Sequence, residues 1–289
     1  MFAGKKQNLL GWLLSLPAVI FLGGFFIFPM VYAFFISFFK WDLLGDKEFV
    51  GFQNYQFLLT EDAIFSSTLW NTLIFSLCYV IGSLLLALGT ALLVHRPLRG
   101  IKVIRTLIMT PLVIPMAITG IIWTLLYSPQ GFINAFLGIF GIDGQNWLFQ
   151  SDFALPAIIL VSIWQSFGLY AIIYVTGLQQ IPQEHYEGME MDGANAWKKF
   201  IHLTLPSLKP TTFFVVVLLL INSFKIFDQI WVMTKGGPGN ATMTLVVYMY
   251  QKIFTSFGLA TAASGIMFAI VLCFVFVQYY FLGREDKAA

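Results

Sequence analysis

Five stretches of this chain run for at least 31 residues without an Asp, Glu, Lys or Arg: between Lys6 and Lys40, Asp62 and Arg96, Arg105 and Asp143, Asp152 and Glu184, and Lys252 and Arg284. A hydrocarbon core is crossed by roughly 20 helical residues, so each stretch has room for one span. A sixth apolar run, Thr211 to Met233, is also long enough, although Lys225 and Asp228 lie near its far end. Charged residues make up 10% of the chain and apolar ones 58%. Soluble domains carry about 25% charged residues, so water is excluded as the main solvent.

A closed β-barrel would need segments of about 10 residues with alternating polarity, and runs such as PTTFFVVVLLLI show none. The expected fold is all-α, six transmembrane helices in a single membrane domain over residues 1–289, with spans near Leu9–Phe35, Thr68–Val94, Thr106–Tyr127, Leu155–Leu178, Thr211–Met233 and Ala260–Phe281. Lys5 and Lys6 precede an apolar run that continues past Pro29 without a small-residue cleavage site, which reads as an uncleaved first span. Pro17, Pro29, Pro111 and Pro115 are expected to kink their helices, as packing geometry more than as gating hinges.

Eleven basic residues fall in one set of loops (Lys5, Lys6, Arg96, Arg99, Lys102, Arg105, Lys198, Lys199, Lys209, Arg284, Lys287) and four in the other (Lys40, Lys47, Lys235, Lys252). The positive-inside rule then puts both termini and the loop 181–210 in the cytoplasm. Trp41, Trp70, Trp123, Trp147 and Trp231 lie toward the outer ends as an aromatic belt. Cys78 and Cys273 fall within spans and read as packed small residues, and His95, His185 and His202 have no second ligand at metal spacing. Neither a metal site nor a disulfide framework is expected. The net charge of +2 is too small to suggest nucleic acid.

The loop Ile181–Pro210 is a polar island between two apolar runs, with Glu184, Glu187, Glu190 and Asp192 followed by Lys198, Lys199 and Lys209. Pro182 suits the first turn of a helix over Gln183–Met191, and Gly193 supplies the left-handed residue that ends it. A second helix is expected over Ala194–Leu205, breaking at Pro206. Nine helical residues are not stable alone, so the first helix needs a surface, either a protein partner or the membrane interface.

Polar residues inside spans are costly in lipid and mark pathway positions or interhelical hydrogen bonds. In the fourth span these are Ser162, Gln165, Ser166 and Tyr170, beside Trp164. In the fifth they are Asn222, Lys225 and Gln229 at helical spacing, with Ser223 and Asp228, where Lys225 and Asp228 at i and i+3 are expected to neutralise each other. Hydroxyl-binding groups beside aromatic platforms suit a carbohydrate. No Gly-x-x-x-x-Gly-Lys-Ser/Thr loop occurs, so ATP is not bound here in the P-loop manner, and Asp228 alone makes no catalytic constellation.

Glu187, Gly188, Met189, Gly193, Leu203, Leu205 and Pro206 stand at the spacing Glu-Ala-Ala, three residues, Gly, nine residues, Ile, one residue, Leu-Pro. In this the chain resembles the permease subunits of binding-protein-dependent ABC importers, departing at Gly188, Met189 and Leu203. Phe39-Lys40-Trp41-Asp42, Phe49 to Tyr55, Asn71-Thr72-Leu73, Phe227-Asp228, Met233-Thr234 and Gly236-Gly237-Pro238 are similar to the maltose-type carbohydrate branch, the first of its two paired permeases. The resemblance implies a type I importer permease fold in a bacterial or archaeal cytoplasmic membrane. It implies a second homologous permease, two cytoplasmic ATPase subunits that bind ATP and Mg, and an external solute-binding protein as partners. It makes the first loop helix a coupling helix, with Glu187 as charged anchor and Tyr186, Gly188, Asp192, Gly193 and Ala194 shaping the docking surface. The other reading weighed is a secondary transporter driven by an ion gradient, which leaves the loop unexplained.

Overall fold

The computed structural model describes residues 2–95 and 100–282, with side chains described over 12–95 and 100–280. The side chains of Lys5, Lys6, Arg96, Arg99, Arg284 and Lys287, used above for sidedness, lie outside the described residues. In chain order the helices are α1 (Phe2–Leu22), α2 (Phe28–Ile36), α3 (Gln53–Thr60), α4 (Ala63–Val94), α5 (Ile101–Val113), α6 (Met116–Leu126), α7 (Phe132–Ile139), α8 (Ser151–Gln179), α9 (Gln183–Met191), α10 (Ala196–Lys199), α11 (Leu205–Ser207), α12 (Lys209–Phe224), α13 (Asp228–Met233), α14 (Leu245–Lys252) and α15 (Phe257–Leu282). Two short strands, β1 (Phe39–Lys40) and β2 (Glu48–Phe49), pair antiparallel. Turns of π-helix join α1 to α2 (Gly23–Ile27) and α10 to α11 (Phe200–Thr204).

Among the described residues, five helical stretches are long and apolar enough to cross a membrane: Trp12–Ile36, Ala63–Val94, Ser151–Gln179, Lys209–Met233 and Phe257–Tyr280. The remaining expected span, Thr106–Tyr127, is not one straight helix. α5 and α6 meet at 94°, because Ile114 and Pro115 take extended backbone and Pro115 has no N–H to continue the ladder. The span expected over Thr211–Met233 is likewise interrupted, with α12 ending at Phe224 and α13 beginning at Asp228.

The expected break at Pro206 does not occur. At both π turns the following residue donates to the carbonyl that opens the turn (Phe28 N–H to Gly23, Leu205 N–H to Phe200), and the next residue is proline, Pro29 or Pro206. A proline ring clashes with the carbonyl four residues back, and the wider turn moves that carbonyl aside, so the helix passes through. The second loop helix also starts later than expected, at Ala196, because Asn195 caps it by accepting from the Lys198 N–H at 2.9 Å.

By compactness the chain forms two units, one holding the residues up to Asp62 with Met249–Ile266, the other Ala63–Tyr248 with the chain from Met267. In the first unit the β1–β2 turn is held by Asp42, whose carboxylate accepts from Gly45 N–H at 2.9 Å and Leu44 N–H at 3.2 Å and is thereby held below the usual carboxylate range. Lys47 lies 4.2 Å over the Trp41 ring and donates to Tyr32 Oη at 2.9 Å. Asn54 donates to the carbonyls of Ser37 and Phe39 at 2.8 and 2.9 Å, and Gly258 lets the start of α15 press against the Phe39 carbonyl.

In the second unit α8 is the central post: 61% of its apolar window is buried, against 28% for α4. Between transmembrane helices close approach depends on small residues, since apolar attraction gains nothing over lipid. Gly168 admits the Ile108 carbonyl of α5, Gly177 admits Thr211 of α12, and Gly82 on α4 admits Ile163. A Cβ at Gly168 would stand 2.3 Å from the Ile108 oxygen, whereas one at Gly89 would meet nothing within 4 Å. Gly168→Ala is therefore expected to destabilise by about 1–3 kcal/mol through overpacking against backbone. Gly89→Ala is expected to be neutral or stabilising by up to about 1 kcal/mol. Thermal unfolding of the two purified variants in one detergent checks the contrast; equal melting temperatures would refute it.

Candidate functional site

The second unit carries both regions expected to be functional, the 181–210 loop and the polar residues of α8, α12 and α13. In the loop, α9 spans the expected Gln183–Met191 and ends at Gly193 with φ of +74°. Ala194 N–H returns to the Met189 carbonyl at 2.9 Å and Gly193 N–H to Glu190 at 3.0 Å, the paired bonds of a Schellman cap. The two short helices are pinned to each other. Tyr186 Oη lies 3.0 Å from Thr204 Oγ1, which is buried in the π turn, and Lys199 is ion-paired with Glu190.

This pinning divides the loop residues. Tyr186, expected on a docking surface, is half-buried against Thr204, and Ala194 and Leu203 are also half-buried. Glu187, Gly188, Asp192, Gly193 and Pro206 are exposed, and an added Cβ at Gly188 would meet nothing within 4 Å. α9 thus carries an exposed carboxylate at Glu187 beside the open Gly188, while Tyr186 and Glu190 tie it to the following short helix.

The interruption after Phe224 opens a cavity of about 210 Å³ lined by Phe75 and Tyr79 of α4, Met116 of α6, Ser162 of α8, Asn222 of α12, the broken segment Lys225–Phe227, and Asp228 and Gln229 of α13. Helix ends leave backbone groups without partners, which a membrane tolerates only beside polar side chains or a cavity. Here Thr244 Oγ1 donates to the Ile226 carbonyl at 3.4 Å. Asp228 occupies the first turn of α13, where the positive end of the helix dipole favours a carboxylate.

Of the pathway residues read from sequence, Ser162, Asn222, Lys225, Asp228 and Gln229 line this cavity. The helical spacing expected for Asn222, Lys225 and Gln229 is lost, because the chain is not helical between Phe224 and Asp228. The break also cancels the expected Lys225–Asp228 neutralisation: among the described residues neither side chain makes an ion pair or hydrogen bond. Both charges remain available to the cavity.

The other expected residues are committed elsewhere. Gln165 donates to the Ile114 carbonyl at 2.8 Å and accepts from Gln229 Nε2 at 2.6 Å; Ser166 accepts from Tyr79 at 2.9 Å; Tyr170 accepts from Asn222 at 3.0 Å. Ser223 donates to Leu220, and Trp164 packs edge-on against Trp123 with centroids 5.3 Å apart, away from the cavity. Phe75, Tyr79, Met116, Ile226 and Phe227 were not expected. Tyr79 had a legible signal, since Ser76, Tyr79 and Ser83 form a polar stripe at helical spacing along α4.

Residues 83–286 match the family described as binding-protein-dependent transport system inner membrane component. The chain is 33% identical to the sulfoquinovosyl glycerol transport system permease of Agrobacterium fabrum over 97% of this chain and 92% of that one. It is 34% identical to the trehalose/maltose transport system permease of Thermococcus litoralis, covering 96% and 95%. A crystal structure of a bacterial alginate ABC transporter in complex with an alginate pentasaccharide-bound periplasmic protein contains a chain of the same fold, with TM-score 0.87 and 22% identity over 100% of this chain and 99% of that chain.

The Schellman cap generates a direct test of loop rigidity. An alanine at Gly193 must take a left-handed conformation that costs about 1–2 kcal/mol, whereas Gly188→Ala sits in open space. Limited proteolysis of the loop is expected to accelerate about tenfold in Gly193→Ala, one factor of ten per about 1.4 kcal/mol, and to stay at the parental rate in Gly188→Ala. Equal cleavage rates would show that the cap does not hold the loop.

Proposed function

The chain belongs to the binding-protein-dependent transport system inner membrane components, multi-pass membrane proteins, and on that premise we propose that it forms half of the translocation pathway of an ATP-driven importer for a sugar or sugar-like solute. An external binding protein delivers the solute, a second, homologous permease completes the pathway, and two cytoplasmic ATPase subunits bind ATP and Mg. This chain performs no catalysis. Ion-gradient drive, the other reading of the sequence, leaves the 181–210 loop without a role.

The observation that carries the coupling role is the division of α9 into a pinned side and a free one. Tyr186 and Glu190 tie it to the following helix, while Glu187 stands exposed beside the open Gly188. A carboxylate on a smooth, rigid helix suits a basic cleft in an ATPase subunit, and because the loop is stiff, movement of that cleft moves the helices. Truncating one member of a buried charge pair costs about 2–5 kcal/mol.

The sugar reading rests on the cavity at the α12–α13 break. Its 210 Å³ corresponds to about seven water molecules at roughly 30 Å³ each, enough for about one sugar ring. Lys225 and Asp228 offer an unpaired donor and acceptor to neighbouring hydroxyls, beside the rings of Phe75, Tyr79 and Phe227. The names of the relatives, trehalose/maltose and sulfoquinovosyl glycerol permeases, point to the same class of solute.

Two outcomes are expected in the assembled transporter in proteoliposomes. Glu187→Ala lowers ATP hydrolysis stimulated by the loaded binding protein at least tenfold, by the cost above; unchanged stimulation would remove the coupling assignment. Asp228→Asn lowers uptake of the labelled solute several-fold while the binding protein's own affinity stays as it was. Uptake by the permease alone, driven by an ion gradient without ATP, would overturn the whole reading.

A further inference from the structure

The breaks at Ile114–Pro115 and at Lys225–Phe227 are joined by a single chain of side-chain hydrogen bonds, and we propose that Gln165, at its centre, is a positioning residue that makes the two breaks move together during transport. The proposal rests on the cavity being the translocation pathway, but it assigns Gln165 a role in motion and none in holding the solute.

Pro115 has no N–H and α6 begins at Met116, so the Ile114 carbonyl lies at a helix end without an assured helical partner. Gln165 Nε2, from the unbroken post α8, donates to it at 2.8 Å. Gln165 Oε1 accepts from Nε2 of Gln229, in the first turn of α13, at 2.6 Å. Gln229 Oε1 in turn accepts from Ser162 Oγ, one turn back along α8. Gln165, Gln229 and Ser162 are 2%, 1% and 4% exposed, and Gln165, unlike the other two, does not line the cavity, so water does not replace a bond that opens at its amide.

The halves that follow the two breaks also pack together. A Cβ at Gly120 of α6 would stand 3.3 and 3.4 Å from Val232 and Met233, at the end of α13. The halves that precede them are held separately, α5 at Gly168 and α12 through Asn222 to Tyr170. One amide therefore sits where both bends turn against a fixed helix. Opening either link of Gln165 strands its buried amide, which costs more than the net worth of the bond, so the two links switch together. Gln229 also lines the cavity, and a solute hydroxyl that takes up its amide acts on both breaks at once.

The test uses the assembled transporter with its loaded binding protein, and the variants Gln165→Met, Gln229→Met and the double substitution. Each single variant is expected to lower solute transported per ATP about tenfold, within the range of allosteric coupling. The double variant should be no worse than the poorer single one, and half-saturation by the loaded binding protein should stay within about twofold. A second readout needs no solute: the distance distribution between spin labels at Leu107 and Leu125, exposed positions on either side of the first break, should change in Gln229→Met as it does in Gln165→Met. Additive losses in the double variant, a rise in half-saturation alone, lowered thermal stability with coupling intact, or a Leu107–Leu125 distribution indifferent to Gln229→Met would each overturn the assignment. If the label distances respond while Asp228→Asn leaves uptake untouched, the pathway reading has failed and the linkage between the breaks stands.

Discussion

Inside a bilayer no water is available to backbone N–H and C=O groups, and this requirement decides where the chain can depart from helix. Among the described residues of the second unit two candidate spans are interrupted, and at each place side chains serve the exposed ends: Gln165 at the Ile114 carbonyl, Thr244 at the Ile226 carbonyl. Both departures border α8, which runs unbroken from Ser151 to Gln179 and buries more of itself than α4, α12–α13 or α15. The cavity follows from the same requirement. A broken helix in lipid must either refill its bonds or line a polar space, and between Phe224 and Asp228 it does some of each.

Charge in the loop is sorted by the same logic of surfaces. The acids gather on α9 and just after it, the lysines on α10 and at the start of α12, and the Lys199–Glu190 pair crosses between the two sets. That pair is half in water and contributes about 0–1 kcal/mol. The half-buried hydroxyl contact between Tyr186 and Thr204 and the glycine cap fix the geometry more firmly, because neither is an ion pair that salt screens.

Much of this was legible in the sequence because membrane physics is coarse. Uncharged length located the spans, and Pro182, Gly193 and the motif spacing located α9 to the residue. What was missed depends on neighbours. Pro111 and Pro115 announced a kink, but the 94° angle needs the Gly168 notch and the Gln165 amide, both on another helix. Asn222, Lys225 and Gln229 were assembled on a helical wheel that does not exist there. They still converge, because Gln229 is drawn to Ser162 and Gln165 across the bundle. Pro206 misled for a local reason: proline was read as a breaker, and a π turn absorbs it.

That absorbed proline matters for how a push on the loop would travel. Had the helix broken at Pro206, α9 would hang on a flexible strand and its motion would dissipate before reaching the membrane. Instead the chain is helical from Ala196 to Ser207, turns once at the buried Leu208, and continues as α12, where Thr212 N–H returns to the Leu208 carbonyl at 2.7 Å. Tyr174 donates to Thr212 Oγ1 at 3.0 Å and Gly177 seats Thr211, so the base of α12 is anchored to α8. The 16 residues of α12 make a rod about 24 Å long at 1.5 Å per residue, and its far end is the cavity. A tilt of this rod about its base would displace Lys225, on the rim where Asp228 and Gln229 begin the next half-helix, more than it displaces the loop.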